Sequence, residues 1–401
     1  MSLKDFIIPY SYSPSPTVER YSTYAIVPTH KPSETTIRLV NDLLSWNKRL
    51  NVFVVDDCTP ESYEKEHRVF ERIRAISKRV KVLRTPDNKL KAGAINYALN
   101  NINANGLRPP DVIVTLDDDV YIDKNTIQNM VHELMSYEQV GAICSQCRAS
   151  NKNVNLLTRL QGLEYLGFNA IRLADQGFFR GPLVMHGMLT AFKTKALFSV
   201  GGFAERHLIE DYEITARIKK AGWHVKMSPS SYAWTEVPET IGQLWKQRAR
   251  WTYGGITIIT HKRYWKFITQ DIVGHGTFLL TFIIIFASLV FTGKDSVPHW
   301  MFYSIVTLSI VQALMWYAFQ LWYMKFYAEK DFSDWLIRLT LICEFIYANA
   351  LTLVLIVAYF YHIFNKFFEI LPDRLQEKII APVNQGFAKI GFTRGWGTKS
   401  T

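Results

Sequence analysis

Three adjacent carboxylates, Asp117-Asp118-Asp119, follow directly on the apolar run Val112–Leu116. Like charges this close repel one another unless a cation neutralises them. A hard divalent ion, Mg2+ or Mn2+, takes oxygen ligands and keeps positions open for phosphate oxygens. The cluster therefore suits a phosphate-carrying ion, with a solvated acidic turn as the plain alternative. Asp56-Asp57 stands in the same relation to the run Val52–Val55, where an Asp can accept hydrogen bonds from a base or ribose or simply cap the turn before Thr59-Pro60.

Lys91-Ala-Gly-Ala-Ile-Asn96 opens a helical pattern with a cation, and a helix start beside a lysine favours an anion. Glu210-Asp211 precedes another helical pattern. Either Asp211 complements the helix dipole, or one of the two carboxylates takes the proton from an attacking hydroxyl. Gln247-Arg248-Ala-Arg250-Trp251 gathers two guanidiniums and an indole. Arginine can hold a pyrophosphate with paired hydrogen bonds, and tryptophan offers a flat face to a sugar ring; a basic helix anchored to lipid is the alternative.

The elements that must position these groups alternate. Tyr24-Ala-Ile-Val-Pro28 reads as a strand, with Ser33 capping a helix whose apolar positions are Ile37, Val40, Leu43 and Leu44. The pattern repeats with Val52–Val55 then Pro60 to Ile76, Val80–Leu83 then Ala92 to Leu99, and Val112–Leu116 then Asn125 to Leu134. Such alternation predicts parallel strands with crossover helices, an α/β Rossmann-like sheet with its ligand site at the carboxyl strand ends. A second half has strands near Val140–Arg148, Leu189–Phe192 and Val225–Met227, with helices near Leu156–Leu173 and Asp211–Ala221.

From about Gly274 the character changes. The runs Gly276 to Gly293, Trp300 to Tyr323 and Leu336 to Phe364 are each long enough to cross a hydrocarbon core of about 30 Å, which needs about 20 residues. Lys325, Lys330 and Arg338 lie between the second and third runs, whereas the Lys294–Trp300 link is short, so the positive-inside tendency puts the N-terminal domain in the cytosol. Met1 to Tyr21 shows neither a secretory leader nor a spanning helix. The expected organisation is a catalytic domain over 1–237, an amphipathic interfacial segment over 238–273, about three membrane helices over 274–365 and an interfacial tail over 366–401.

The net charge of +11 does not require nucleic acid, because several lysines and arginines lie near the membrane-proximal Lys246 to Lys266 segment, where lipid headgroups and a pyrophosphate account for them. Cys144 and Cys147 form a CxxC without a second pair or a histidine cluster, and read as strand residues; Cys58 and Cys343 are alone. A reduced, cytosolic domain follows.

These five features, in this order, resemble the processive family-2 glycosyltransferases, the group that includes cellulose, chitin, hyaluronan and poly-N-acetylglucosamine synthases. The run Val237 to Gly255 around Gln-Arg-x-Arg-Trp looks particularly like that of bacterial poly-β-1,6-N-acetylglucosamine synthases. The resemblance implies a GT-A catalytic fold followed by transmembrane helices at the plasma membrane. It further implies a UDP-sugar donor, UDP-GlcNAc or UDP-glucose, and a growing β-linked glycan as acceptor.

By the same resemblance Thr29, Asp56, Asp57, Lys91, Asp117, Asp118, Asp119, Gln247, Arg248 and Arg250 surround the donor. Asp117 and Asp119 hold Mg2+ or Mn2+. Asp211 is the catalytic base with Glu210 beside it, and Trp251 and His186 face the acceptor; Arg180 to His186 occupies the place of the segment that contacts both substrates in relatives. The relatives usually carry spanning helices ahead of the catalytic domain and, in cellulose synthases, a gating loop; neither is recognisable here. Three spans are few for a secretion channel, so self-association, an accessory membrane subunit or a short product is expected. Two rival readings are a polyprenyl-phosphate sugar transferase, against which Gln-Arg-x-Arg-Trp argues, and an inactive glycan-binding subunit, against which the intact acidic positions argue.

Overall fold

The computed structural model describes residues 20–104, 109–175, 180–205, 207–291, 299–368 and 373–392. Most of the Met1 to Tyr21 start, most of the Lys294–Trp300 link and residues 393–401 of the tail lie outside these. In chain order the elements are β1 Thr23–Thr29, α1 Glu34–Trp46, β2 Leu50–Asp56, α2 Glu61–His67, α3 Val69–Ile76, β3 Val80–Arg84, α4 Leu90–Ala104, β4 Val112–Leu116 and β5 Tyr121–Ile122. Next come α5 Thr126–Met135, β6 Val140–Ala149, α6 Leu156–Ala174, β7 Leu189–Lys193, α7 Thr194–Ser199, α8 Glu210–Lys220 and β8 His224–Thr235. The chain closes with α9 Ile241–Ile259, α10 Thr269–Phe291, α11 His299–Tyr323, α12 Phe332–Thr340, α13 Ile342–Phe368 and α14 Asp373–Lys389.

The eight strands form one sheet in the order β3-β2-β1-β4-β7-β6-β8-β5. The first four pair in parallel, with Thr29 beside Asp56 and Asp56 beside Arg84 in register. The parallel pairing expected from the alternation holds for these four, whereas β7 runs antiparallel to both β4 and β6, and β5 antiparallel to β8. Because β7 is reversed, its amino end, entered through Met185–Met188, opens at the edge where β4 finishes; Leu116 pairs with Leu189, and the Asp117 amide donates to the Met188 carbonyl at 3.0 Å. β6 and β8 are parallel to each other, which brings the chain leaving β8 to that edge too.

Sequence periodicity also misplaced breaks. The Pro60 to Ile76 helix is two helices, because Arg68 adopts φ 51° and its amide closes on the Glu64 carbonyl at 2.8 Å, while the Glu64 carboxylate accepts the Phe70 amide at 3.0 Å. β8 is far longer than Val225–Met227: its Ser-Pro-Ser-Ser stretch carries no apolar signal and bulges between the Cys144–Met227 and Gln146–Tyr232 pairs, after which pairing resumes through Thr235. The Leu336 to Phe364 run is broken by Leu341 at φ 60° into α12 and α13. Arg338, counted above as a loop charge, is a buried helix residue that pairs with Glu344 at 2.7 Å. The cap at Ser33 forms as expected, with Thr36 completing it, and Cys144 and Cys147 are buried free thiols in β6.

Two buried layers flank the sheet. One joins α1, α3 and α5 to its first face through Leu39, Leu43, Ile73 and Met130. The other joins α4, α6 and α8 to the opposite face and continues without interruption into Tyr323, Tyr327, Ile337 and Tyr347 of the C-terminal helices. Burial of this kind contributes about 25 cal/mol per Å2 of apolar surface, so the C-terminal helices are held on the sheet domain by shared core. α10 and α11 cover the first two long apolar runs, and among the described residues α13 has the length and hydropathy to cross a membrane, with a mean hydropathy of 1.9.

Candidate active site

At the carboxyl edge of the sheet, Lys91 joins three segments far apart in sequence. Its Nζ pairs with Asp117 Oδ1, lies 3.4 Å from Glu210 Oε1 and donates to the Gly187 carbonyl at 3.1 Å. Burial opposes its charge, but the carboxylates of Asp117, Glu210 and Asp211 more than offset that, and the Lys91 pKa is raised. Asn96, one turn further along α4, exchanges hydrogen bonds of 2.9 Å with the Phe203 backbone and so ties α4 to the loop that leads to Glu210.

Asp211 sits in the first turn of α8. Its Oδ2 accepts the Gly187 amide at 3.0 Å and its Oδ1 accepts the Tyr212 amide at 2.8 Å. Thr215 bonds the Asp211 carbonyl at 2.6 Å and accepts the Met185 amide at 3.1 Å, which locks α8 onto the segment entering β7. Burial, then the charge of Glu210, raise the Asp211 pKa against the opposing pull of Lys91, so this carboxylate can take up a proton closer to neutrality than an ordinary one. Gly187 lies between the two charged groups: a Cβ there would stand 2.6 Å from Lys91 Nζ and 3.6 Å from Asp211 Oδ2. Lys91, His186, Gly187, Glu210 and Asp211 line a small cavity together with Ile95, Met185 and Phe203.

His186 is buried, with Nε2 against the Ser145 carbonyl, and burial followed by the charge of Arg172 pushes its pKa down to about 3, so the ring is neutral. The Arg180 to His186 segment turns through Arg180 at φ 66° and Gly181 at φ 109°. A Cβ on Gly181 would fall 1.9 Å from the Val225 carbonyl oxygen, so only glycine fits.

The acidic loop divides its labour. Thr29 Oγ1 donates to Asp118, whose pKa burial raises, while Asp117 faces Lys91. The Asp119 side chain reaches solvent, yet desolvation within the loop, then repulsion from Asp117 and Asp118, push its pKa up to about 6. Among the described residues no cluster of three or more metal-ligating side chains occurs. Asp117 and Asp119 offer two carboxylates of one loop whose repulsion Lys91 relieves only in part, since the Asp119 pKa stays raised, and such a donor set fits a divalent cation completed by phosphate oxygens.

Asp56 and Asp57 are buried and already employed. Asp56 accepts from the Thr59 amide at 2.8 Å and from Arg84 at 2.9 Å, and Asp57 Oδ1 accepts from the Lys89 amide at 2.7 Å and Thr85 at 3.1 Å. They tie the end of β2 to the end of β3 and to the entry of α4. Gln247, Arg248, Arg250 and Trp251 stand on α9, whose amino end is capped by Thr240 and Gln243. α9 reaches the Asp211 side through Gly254, where a Cβ would lie 2.8 Å from the Ile209 side chain, the residue just before Glu210. Arg248 is buried against Glu164 of α6, and Trp251 packs beside Cys147, Tyr165 and Val237.

Sequence reasoning missed Gly187, whose contribution is a backbone amide without side-chain signature, and Glu164. Glu164 left one trace, an acid one helical turn after the buried Leu160 in a largely apolar helix.

Comparison with known proteins adds an independent result. The family model described as glycosyl transferase family group 2 matches residues 112–363, and that of glycosyl transferase family 2 matches 24–199. The poly-beta-1,6-N-acetyl-D-glucosamine synthase of Staphylococcus aureus (strain COL) is 28% identical over 173 residues, 43% of this chain and 40% of the relative. Its Staphylococcus epidermidis counterpart is 28% identical over 181 residues, 45% of this chain and 42% of the relative. The match thus spans about two fifths of the length of these curated relatives. Among solved structures, a mannosyltransferase from Pyrobaculum calidifontis in complex with GDP-Man and Mn2+ superposes with TM-score 0.53 at 18% identity, over 84% of this chain and 92% of the other, a likeness of the GT-A fold.

Proposed function

We infer the reaction from a plain premise: the chain belongs to the family-2 glycosyltransferases. On that premise we propose an inverting transfer of a sugar from a UDP-sugar, UDP-GlcNAc or UDP-glucose, to a hydroxyl of a growing β-linked glycan. The observation that carries the reading is the convergence on Lys91 of Asp117, Glu210 and the Asp211–Gly187 pair, which supports a site where charge is gathered and a proton is moved.

In the proposed step the acceptor oxygen forms its bond to the anomeric carbon while the bond to the diphosphate breaks. The acceptor proton passes to the Asp211 carboxylate, and the nucleoside diphosphate leaves from the opposite face, so the new linkage is β. Glu210 and Lys91 hold Asp211 in a charged setting, and the Gly187 amide fixes its orientation. Asp117 and Asp119 would hold Mg2+ or Mn2+, which supplies charge stabilisation to the departing diphosphate. Thr29, Asp118, Gln247 and Arg250 are proposed around the donor, with Asp56 and Asp57 shaping the uridine side; Trp251 and His186 are proposed on the acceptor side.

We further propose that the enzyme works at the cytosolic face of the plasma membrane, with 1–237 catalytic, 238–273 and 366–401 along the interface and 274–365 crossing as several helices. Helix α12 supports this. Asp334, Ile337 and Arg338 are buried, while Phe332, Leu336 and Leu339 are 79%, 52% and 60% exposed on its outer side, an apolar stripe that continues into α13. An accessory membrane subunit or self-association belongs to the same proposal; nucleic acid does not.

The test incubates detergent-purified protein with a panel of UDP-sugars and Mg2+ or Mn2+, follows UDP release and sizes the product by mass spectrometry. UDP release and a β-linked product are expected with UDP-GlcNAc or UDP-glucose. Turnover of GDP-mannose alone, or sugar appearing only on a polyprenyl phosphate, overturns the reading.

A further inference from the structure

We propose that Glu164 and Tyr347 are positioning residues which, through Arg248, hold the Trp251 ring on the acceptor side of the site and tie its orientation to helix α13. The proposal rests on the glycan-transfer reading. It assigns Arg248 to this clamp, where the motif resemblance implies a donor ligand.

Three helices meet at one carboxylate. Arg248 of α9 pairs through Nη2 with Glu164 Oε2 of α6, and the Tyr347 hydroxyl of α13 donates to the same Oε2 at 2.7 Å while standing 3.4 Å from Arg248 Nη2. Arg248 Nη1 bonds Gln247 Oε1. Arg248 is 5% exposed and Tyr347 9%. With both terminal nitrogens engaged and the group buried, Arg248 presents no free fork to a diphosphate. What it does present is its flat face: the guanidinium carbon lies 4.3 Å from the Trp251 ring centroid, one helical turn away. A buried cation stays in place only while its carboxylate partner does, so Glu164 governs where Arg248, and with it Trp251, rests.

The same turn of α6 also grips the corner between α12 and α13. The Leu163 carbonyl accepts Arg338 Nη2 of α12 at 3.2 Å, and Arg338 Nη1 pairs with Glu344 of α13 at 2.7 Å, on either side of the left-handed Leu341. A shift of α13, the helix with the composition to cross a bilayer, is therefore transmitted to Glu164 and Arg248.

The test uses the full chain in detergent with Mn2+, UDP-GlcNAc as donor and a β-1,6-linked N-acetylglucosamine tetramer as acceptor. For Glu164→Gln, Tyr347→Phe and Arg248→Lys the acceptor KM is expected to rise about tenfold or more, with UDP affinity by calorimetry within about twofold of the parent and acceptor-free donor hydrolysis retained. Should a single variant fail to fold, Glu164→Gln/Arg248→Gln, which removes both buried charges together, is expected to fold and show the same raised acceptor KM. Acrylamide quenching of the Trp251 emission, taken as the difference from Trp251→Phe, is expected to rise in Tyr347→Phe. That readout needs no turnover, so it judges the clamp even if the parent enzyme transfers nothing and the glycan reading falls. About tenfold weaker UDP binding with an unchanged acceptor KM overturns the proposal in favour of a direct donor contact. Unchanged quenching together with unchanged kinetics overturns it outright.

Discussion

The carboxylate of Asp211 accepts the Gly187 amide at 3.0 Å, although the two residues belong to different elements, the first turn of α8 and the entry to β7. The hydrogen bond holds the proposed base where Lys91, bound to the Gly187 carbonyl at 3.1 Å, neutralises the acidic loop. A single glycine thus orients the anion through its amide and the cation through its carbonyl.

Gly187→Ala tests that arrangement. The added Cβ would meet Lys91 Nζ at 2.6 Å, and because that atom ends a flexible side chain the chain yields by moving Lys91 off Asp117. The expected outcome is an unchanged circular dichroism spectrum with kcat lower by about tenfold or more, equivalent to about 1.4 kcal/mol of transition-state stabilisation.

Asp211→Asn removes the proposed proton acceptor while keeping the hydrogen-bond acceptor for Gly187. Transfer is expected to fall by about 10^2 to 10^4, the usual range for a general base, with UDP binding retained. In the parent enzyme the raised Asp211 pKa places the acid limb of the rate above the ordinary carboxylate range, since protonation disables the base as pH falls. Turnover of the Asn variant at the parent rate would refute the base assignment.

Asp119 makes an opposite prediction for stability. Its folded pKa, about 6, is above the ordinary value of 3.8, so ionisation is disfavoured in the folded protein. The penalty is fully present above about pH 6, shrinks as pH falls, and is gone below 3.8. Asp119→Asn is expected to raise the thermal midpoint of metal-free protein at pH 7 to 8, by an amount moderated by solvent screening, and to leave it unchanged at pH 3.5. The same variant is expected to weaken Mn2+-dependent UDP binding, measured by calorimetry.

Asp334 is 1% exposed and sits between Lys152 at 2.8 Å and Arg159 at 2.8 Å, so it fastens α12 to the catalytic domain. Asp334→Ala would leave two largely buried cations short of a partner. Because Asp331 still pairs with both cations, the expected loss lies at or below the low end of the about 3 to 5 kcal/mol for breaking a buried pair, read as a lower thermal midpoint in detergent and earlier proteolysis between the sheet domain and α12. Resistance equal to the parent would show that the shared apolar core alone holds the two parts together.

How much of this was legible in the sequence depends on the distance over which each feature acts. Strand ends carrying Asp56 and Asp117, the cap at Ser33 and the helix starts at Lys91 and Glu210 follow from local periodicity and residue type, and the order of these motifs carried the family resemblance. The sequence alone did not reveal the employment of each charge. Asp56 faces Arg84, Arg248 faces Glu164 and Arg338 faces Glu344, and those pairings consume groups that local reasoning left available for ligands or loops.

Tertiary structure decided two further matters. The reversal of β7 set Gly187 and His186 at the carboxyl edge of the parallel strands, bringing Gly187 against Lys91, 96 residues away. The left-handed turn at Leu341 divided one apolar run into a helix pinned by buried charges and a longer one with the composition of a membrane span. The reason is physical: periodicity and capping act within a few residues, whereas strand direction and the pairing of buried charges are chosen by which surfaces must be covered once the whole sheet has assembled.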